Sequence, residues 1–240
     1  MLGSSFAEVA AGYIDLTDSE RAALARLEER RRVLRRGTTI QRENEAAGGL
    51  HVLRRGLMMS YVLLQDGSRQ ILRFMFPGDL IGTAAMVYDE ATETTVALSE
   101  VVVCSIDRSA LGAMFEEHPR LAALVFALSQ VERVALTDRL AALGRTSAKA
   151  RVGALLLEFR DRLNVERPVF LLGLTQEEIA DATGLTAVHV NRMLRQLEEE
   201  ALIERANGRV AILDERALAR ISNYVRRDAR LNLDWLPKPR

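Results

Sequence analysis

Residues 176–195 read QEEIADATGLTAVHVNRMLR, and the placement of small and apolar residues in this stretch decides the fold of the C-terminal part of the chain. Ala180 allows two helices to cross closely. Gly184 supplies the left-handed backbone conformation that a tight turn between them needs, and Ile179, Leu185, Val190 and Met193 form the apolar wedge that sets their angle. Thr175 caps the first helix, with Glu178 three residues on as the partner of a capping box, and Thr186 caps the second. Downstream, ALIERANGRVAIL predicts two short strands around Asn207-Gly208, a hairpin turn that makes a wing. An ordinary helical hairpin mimics part of this pattern, but not the joint occurrence of alanine, glycine, wedge and wing.

A helix-turn-helix places its second helix in the major groove of DNA, with the N-terminal residues of that helix at the base edges. Thr186 to Arg195 is therefore the predicted recognition helix. Arg192 is the first candidate for base reading, because its fork matches the O6 and N7 acceptors of guanine. His189 and Asn191 are further candidates, whereas Ala187 and Val188 offer only apolar contact, for instance to a thymine methyl. The helix starts at Thr175, Gln176 and Thr186, together with Arg195 and the wing residues Arg205 and Arg209, are placed to hold phosphates. For each arginine the plain alternative is a solvated surface charge.

Upstream of this unit, Ser147 to Leu163 predicts a helix with Ala150, Val152, Leu155, Leu156 and Phe159 inward, and Gly144 to Ser147 reads as a hinge. Pro119 opens a long helix reaching about Leu143. Along it Leu121, Leu124, Leu128, Val131 and Ala135 alternate by three and four residues, the seam that pairs two helices. Asp138 breaks that register. Leu136, Leu140 and Leu143 continue on a shifted face, expected to pack on the chain's own barrel as well as on a partner. The alternative is an amphipathic core helix without dimerisation.

Between Arg32 and Asp107 short apolar runs are punctuated by Gly37, Gly49, Gly56, Gly67 and Gly78, the rhythm of a β-sandwich or barrel. Asp66-Gly67 lies between MMSYVLL and RQILRFMF and predicts a hairpin, Pro77-Gly78-Asp79 ends its second strand, and VVVCSID reads as a buried strand. Leu16-Thr17-Asp18-Ser19-Glu20 starts a helix running to about Glu29, and Arg108 to Phe115 is another. The fold class is α+β. A sensor region occupies residues 1–118, a dimerisation helix and hinge 119–146, and the winged helix-turn-helix with its tail 147–240.

Composition sets broad limits. The 240 residues carry 33 Lys and Arg against 33 Asp and Glu, so affinity for nucleic acid has to come from local arrangement of charge. The one cysteine, Cys104, forms no internal disulfide and no thiolate cluster, in keeping with a reducing compartment and a place in the core. No apolar run reaches the roughly 18 residues that a membrane span needs, and no signal peptide is visible, so a soluble cytoplasmic protein is expected.

On FPGDLIG, RTSAKARVGALLLEF and LTQEEIADATGLTAVHVNRMLRQLEEEALI, the chain resembles the CRP/FNR family, the cyclic-AMP receptor protein and the oxygen-responsive regulators, over nearly its full length. The resemblance implies a jelly-roll β-barrel of the cyclic-nucleotide-binding type, a homodimer joined through the long helix, a pseudo-palindromic double-stranded DNA site and RNA polymerase as a further partner. By the same resemblance an effector would lie near Gly78, Asp79, Leu80, Thr94, Thr95 and Thr137. Departures from the family pattern concern the ligand. The segment after Gly78-Asp79-Leu80 lacks the arginine that holds a cyclic phosphate, and Asp89, Glu90 and Glu93 put negative charge there instead. The N-terminal cysteines of an iron-sulfur cluster are missing. Haem is an improbable ligand, since His51 lies in a strand and His118 precedes Pro119, where capping is the plainer role. Val188 stands where better-known members carry a glutamate, so their operator consensus does not transfer.

Two other classes compete. A cupin-like barrel enzyme requires clustered metal ligands, which His51, His118 and His189 do not supply by their spacing. A ligand-sensing subunit that does not bind DNA would leave the helix-turn-helix and wing without a purpose. No catalytic or metal site is expected.

Overall fold

The computed structural model describes residues 3–163, 169–227 and 231–239. Two short helices open it, α1 (Phe6–Ala11) and α2 (Asp18–Leu27), each begun by a reciprocal capping box. In the first, the Glu8 amide donates to Ser5 Oγ; in the second, the Glu20 amide donates to Thr17 Oγ1 and the Glu20 carboxylate accepts the Thr17 amide at 2.8 Å. Such a cap is worth about 1 kcal/mol. α2 agrees with the sequence reading; α1 is absent from it, although its Ser-x-x-Glu signature is legible.

Strands β1 (Arg31–Leu34), β2 (Thr39–Gln41), β3 (Leu50–Arg55), β4 (Met58–Leu63), β5 (Arg69–Met75), β6 (Leu80–Ile81), β7 (Thr94–Ala97) and β8 (Val101–Ile106) form two four-stranded sheets, ordered β1-β8-β3-β6 and β2-β7-β4-β5. Gly67, with φ at +82°, turns the β4–β5 hairpin as expected from Asp66-Gly67. One core draws Leu34, Leu53, Val101, Val103 and Ile81 from the first sheet and Met58, Met75 and Ala97 from the second, so the sheets face each other across it. In β8, Val101 and Val103 serve this core. Cys104 and Ile106 serve a second one, shared with Leu50 and Val52 of β3 and with the helices.

Helices α3 (Arg108–Glu117) and α4 (Pro119–Arg145) complete that second core through Leu111, Met114, Leu121 and Leu124. The last two correct an expectation. Leu121 and Leu124 were assigned by spacing to a partner-facing seam, but each is only 1% exposed inside the chain's own core, and Leu128 is half-buried against it. Val131 is half-buried and Ala135 exposed. Leu136 and Leu140, expected to pack on the barrel as well as on a partner, are 42% and 72% exposed.

After a break at Thr146 and Ser147, α5 (Ala148–Arg162) begins with the Ala150 amide donating to Ser147 Oγ at 3.1 Å. Then come β9 (Val169–Leu171), α6 (Gln176–Thr183), α7 (Ala187–Glu199), β10 (Ile203–Ala206), β11 (Arg209–Ile212) and α8 (Glu215–Ser222). The wing is a three-stranded sheet, β10-β11-β9, one strand larger than the expected hairpin. Ala150, Val152, Leu155, Leu156 and Phe159 of α5 are buried as the periodicity predicts. α8 packs on α5 at Gly153, where an added Cβ would stand 2.2 Å from Ser222 Oγ.

Contacts divide the chain into two compact units. One comprises the residues up to Val62, Arg73 to Arg133 and the segment from Leu231; within it Leu233 of the tail packs against the helical core. The other comprises Leu63 to Leu72 and Val134 to Arg230, so the tip of the β4–β5 hairpin groups with the helix-turn-helix and α4 runs through both units.

Candidate nucleic-acid interface

Local chemistry builds the helix-turn-helix. The Glu178 amide donates to Thr175 Oγ1 at 3.1 Å, and the Glu178 carboxylate accepts the Thr175 amide at 2.7 Å, which fixes the start of α6. Gly184 ends it at φ 62° and ψ 44°, a conformation that glycine adopts without strain, and the Leu185 amide closes onto the Ala180 carbonyl at 3.0 Å. Thr186 Oγ1 accepts the His189 amide at 3.3 Å and starts α7. Ile179, Val190 and Met193 are buried between the helices and Leu185 is half-buried there, so the wedge forms as the spacing predicts.

The two faces of α7 are chemically opposite. Val190, Met193, Leu194 and Leu197 are buried, while Val188, Arg192 and Arg195, at intervals of four and three residues, line one exposed stripe. Val188 is 82% exposed. His189 is exposed and Asn191 half-exposed on either side of that stripe. Thr175, Gln176 and Thr186 are exposed at the helix starts, where free amides and the positive end of the helix dipole favour an anion. The helical candidates therefore come together on one surface of the second unit.

Four contacts invisible to periodicity hold this surface in place. Arg151 of α5 donates from Nη1 to the Thr183 carbonyl at 2.7 Å, satisfying the C-terminal end of α6. Asp181 of α6 pairs with Arg69 at 2.6 Å, and Gln70 donates to the Asp181 carbonyl at 2.8 Å, both from the β4–β5 hairpin tip. Lys149 of α5 pairs with Glu200, just past α7, at 2.6 Å. These partners are 32 to 112 residues apart in sequence, and no local pattern announces them.

The two wing arginines differ. Arg209 is exposed, whereas Arg205 is half-buried and donates from Nη2 to Glu198 Oε2 of α7 at 2.7 Å. The guanidinium, through its hydrogen bond, holds the Glu198 carboxyl below the usual range.

Of the six residues expected around an effector, the five in the first unit have structural duties, and Thr137 falls in the second. Gly78, at φ +94°, donates its amide to the Leu53 carbonyl at 2.6 Å, and a Cβ there would meet Val9 of α1 at 2.1 Å. Asp79 Oδ2 accepts the Phe76 amide at 2.9 Å, and Leu80 begins β6. Thr94 Oγ1 accepts the Glu43 amide at 3.1 Å; Thr95 Oγ1 accepts from Gln41 Nε2 at 3.2 Å. Thr137 is exposed. Arg73 of β5 is flanked by Glu93 and Glu132, both within ion-pair range.

Both ring nitrogens of His51 have partners, Ser105 Oγ at 3.1 Å and the Gly48 carbonyl at 3.2 Å, and burial lowers its pKa. His118 is the C-cap of α3, its amide donating to the Met114 carbonyl at 2.8 Å. Cys104 is fully buried in β8, and desolvation raises its thiol pKa. Among the described residues no three metal-ligating side chains cluster, and no helix is long and apolar enough to cross a membrane.

Two protein families match parts of the chain. Residues 31–118 match the cyclic nucleotide-binding domain family and residues 150–221 the Crp-like helix-turn-helix domain family. The nitrogen fixation regulation protein FixK of Bradyrhizobium diazoefficiens is 32% identical over 181 residues, which span 74% of this chain and 76% of the relative. The transcriptional activatory protein AadR of Rhodopseudomonas palustris is 33% identical over 176 residues, 72% of each chain. Among solved structures, FixK2 of Bradyrhizobium japonicum superposes with a TM-score of 0.73 at 28% identity, over 80% of this chain and 96% of its own.

Proposed function

This chain belongs to the CRP/FNR family of transcription regulators, and from that membership we propose that it binds a pseudo-palindromic DNA site as a homodimer, with α7 of each protomer in a major groove. That it is a DNA-binding regulator and not an enzyme follows from the family; the residue roles are our own reading. The observation that carries them is the exposed Val188–Arg192–Arg195 stripe, backed by a fully buried opposite face. Arg192 reads a guanine, Val188 offers an apolar surface to the groove, and His189 and Asn191 flank it. Thr175, Gln176, Thr186 and Arg195 position the phosphates. In a dimer the two recognition helices meet grooves about 34 Å apart.

The partner-facing seam is the exposed side of α4. Phe126, Ser129, Arg133, Leu136 and Leu140 recur at intervals of three and four residues, about a third of a turn around the helix from the buried stripe of Leu121 and Leu124. Phe126 is 59% exposed. The activator among the relatives supports RNA polymerase as a further partner, and action on DNA supports a cytoplasmic location.

Substituting Arg192 by Ala tests the core of this reading. Binding-site selection with the wild type should return a two-fold site with a guanine in each half. Arg192→Ala should bind that duplex roughly 5- to 150-fold more weakly per half-site, the equivalent of about 1–3 kcal/mol, with relaxed preference at the guanine alone. An unchanged preference would remove Arg192 from this role.

A second expectation concerns the β-roll. Cyclic AMP should produce no saturable heat in titration calorimetry. Arg73 is already flanked by two carboxylates, and Asp89 and Glu90 are exposed nearby in sequence, so a phosphate would meet repulsion there. Stoichiometric uptake would overturn this.

A further inference from the structure

The two wing arginines lie on opposite faces of the same hairpin. In the β10–β11 register Arg205 stands opposite Val210 and Ala206 opposite Arg209. Directly opposed residues share a face, and faces alternate along each strand. Arg205 thus shares the inward face of Val210, which is 3% exposed, and of Ile203 and Ile212, which pair two residues further on. Arg209 shares the outward face with Ala206 and Glu204, along an open groove also lined by Val169, Asn207 and Ala211. Sequence spacing treats the two arginines alike; the pleat does not.

On the inward face Arg205 meets Glu198 of α7 at 2.7 Å, with both side chains about 30% exposed. Glu198 lies twelve residues beyond the Thr186 cap, about 18 Å along the helix axis from the end that enters DNA. We propose that Arg205 is a positioning residue: through Glu198 it pins the wing to the trailing end of the recognition helix, and the wing's phosphate contact falls to Arg209. The pair sets the angle between wing and helix, and hence whether Arg209 and Arg192 can engage backbone and base together. This inference rests on the DNA-binding mode proposed above.

The probe is the duplex recovered by site selection with the wild-type protein, with affinity measured between about 50 and 200 mM salt. Each phosphate contact contributes close to one unit to the slope of log affinity against log salt, and a dimer carries two copies of each residue. Arg209→Ala should therefore flatten the slope by about 2 units. Arg205→Ala should weaken binding about fivefold yet leave the slope at its wild-type value. The exchanged pair Glu198→Arg with Arg205→Glu conserves net charge and should recover most of the lost affinity. A slope flattened by Arg205→Ala as much as by Arg209→Ala would overturn the proposal, since that is the signature of a lost phosphate contact. An exchanged pair no better than Arg205→Ala would overturn it too. If the wild type selects no duplex at all, the DNA-binding mode itself fails, and the two failures are told apart.

Discussion

Leu136→Asp together with Leu140→Asp is expected to make the protein monomeric and to reduce its affinity for the selected duplex by about 10²–10⁴-fold. The magnitude follows from linkage. A paired scaffold delivers the second recognition helix at high effective concentration, and a monomer forfeits that advantage without losing any contact of its own half-site. Both residues are exposed, at 42% and 72%, so two carboxylates can reach water in the isolated protomer. In the dimer they would stand in an apolar seam, where unpaired charges are costly to desolvate. Sedimentation and an electrophoretic shift read the two effects, and far-UV circular dichroism should be close to that of the wild type. A double variant that still sediments as a dimer would exclude this face as the interface.

The second large effect is on stability. Phe159→Ala should destabilise the helix-turn-helix unit by about 3–5 kcal/mol, because deletion of a buried ring removes its burial free energy and leaves a cavity that neighbours fill only in part. Phe159 is fully buried, in the company of Val152, Leu156 and Leu157 on α5. With a typical domain stable by about 5–15 kcal/mol, that loss is roughly a fifth or more of the total. Urea titration should show a markedly lower midpoint. Val188→Ala is the matching control: the residue is 82% exposed, so its truncation should leave the midpoint almost unmoved while altering DNA binding. A Phe159→Ala midpoint equal to that of Val188→Ala would refute the assignment of Phe159 to the core.

These two predictions differ in how much of each was legible in the chain. Phe159 was: Val152, Leu155, Leu156 and Phe159 recur on one face, and all are buried. The proposed dimer seam was legible only in part. α4 carries two stripes with the same three-and-four spacing, one through Leu121 and Leu124 and the other through Phe126, Leu136 and Leu140; spacing puts the seam on the first and lets Leu136 and Leu140 meet a partner as well, but gives Phe126 no part in it. Both stripes satisfy the same periodic rule, so hydrophobic spacing alone cannot rank them. What ranks them is the helical core of α1, α2 and α3, which covers one stripe and leaves the other exposed.

Other gaps have the same origin. α1 was missed despite its capping box because six residues show too little periodicity to call a helix. The third wing strand, β9, is only three residues long and gains its partner, β11, some forty residues later. Arg151, Asp181 and Glu198 matter through partners that are not neighbours in sequence, apart from the seven-residue reach from Glu198 to Arg205.

By itself the sequence determined the helix-turn-helix, its caps, the left-handed turn at Gly184 and the hairpins at Asp66-Gly67 and Asn207-Gly208. The caps and turns are set by residues within about five positions of one another, where backbone sterics and short-range hydrogen bonds act, and the helix-turn-helix by a wedge that lies within one short stretch of chain. Only the tertiary structure decided which side of α4 is free for a partner and which face of the wing each arginine takes. Burial and strand pairing join residues far apart along the chain, and a periodic pattern shows that a face exists without showing what covers it.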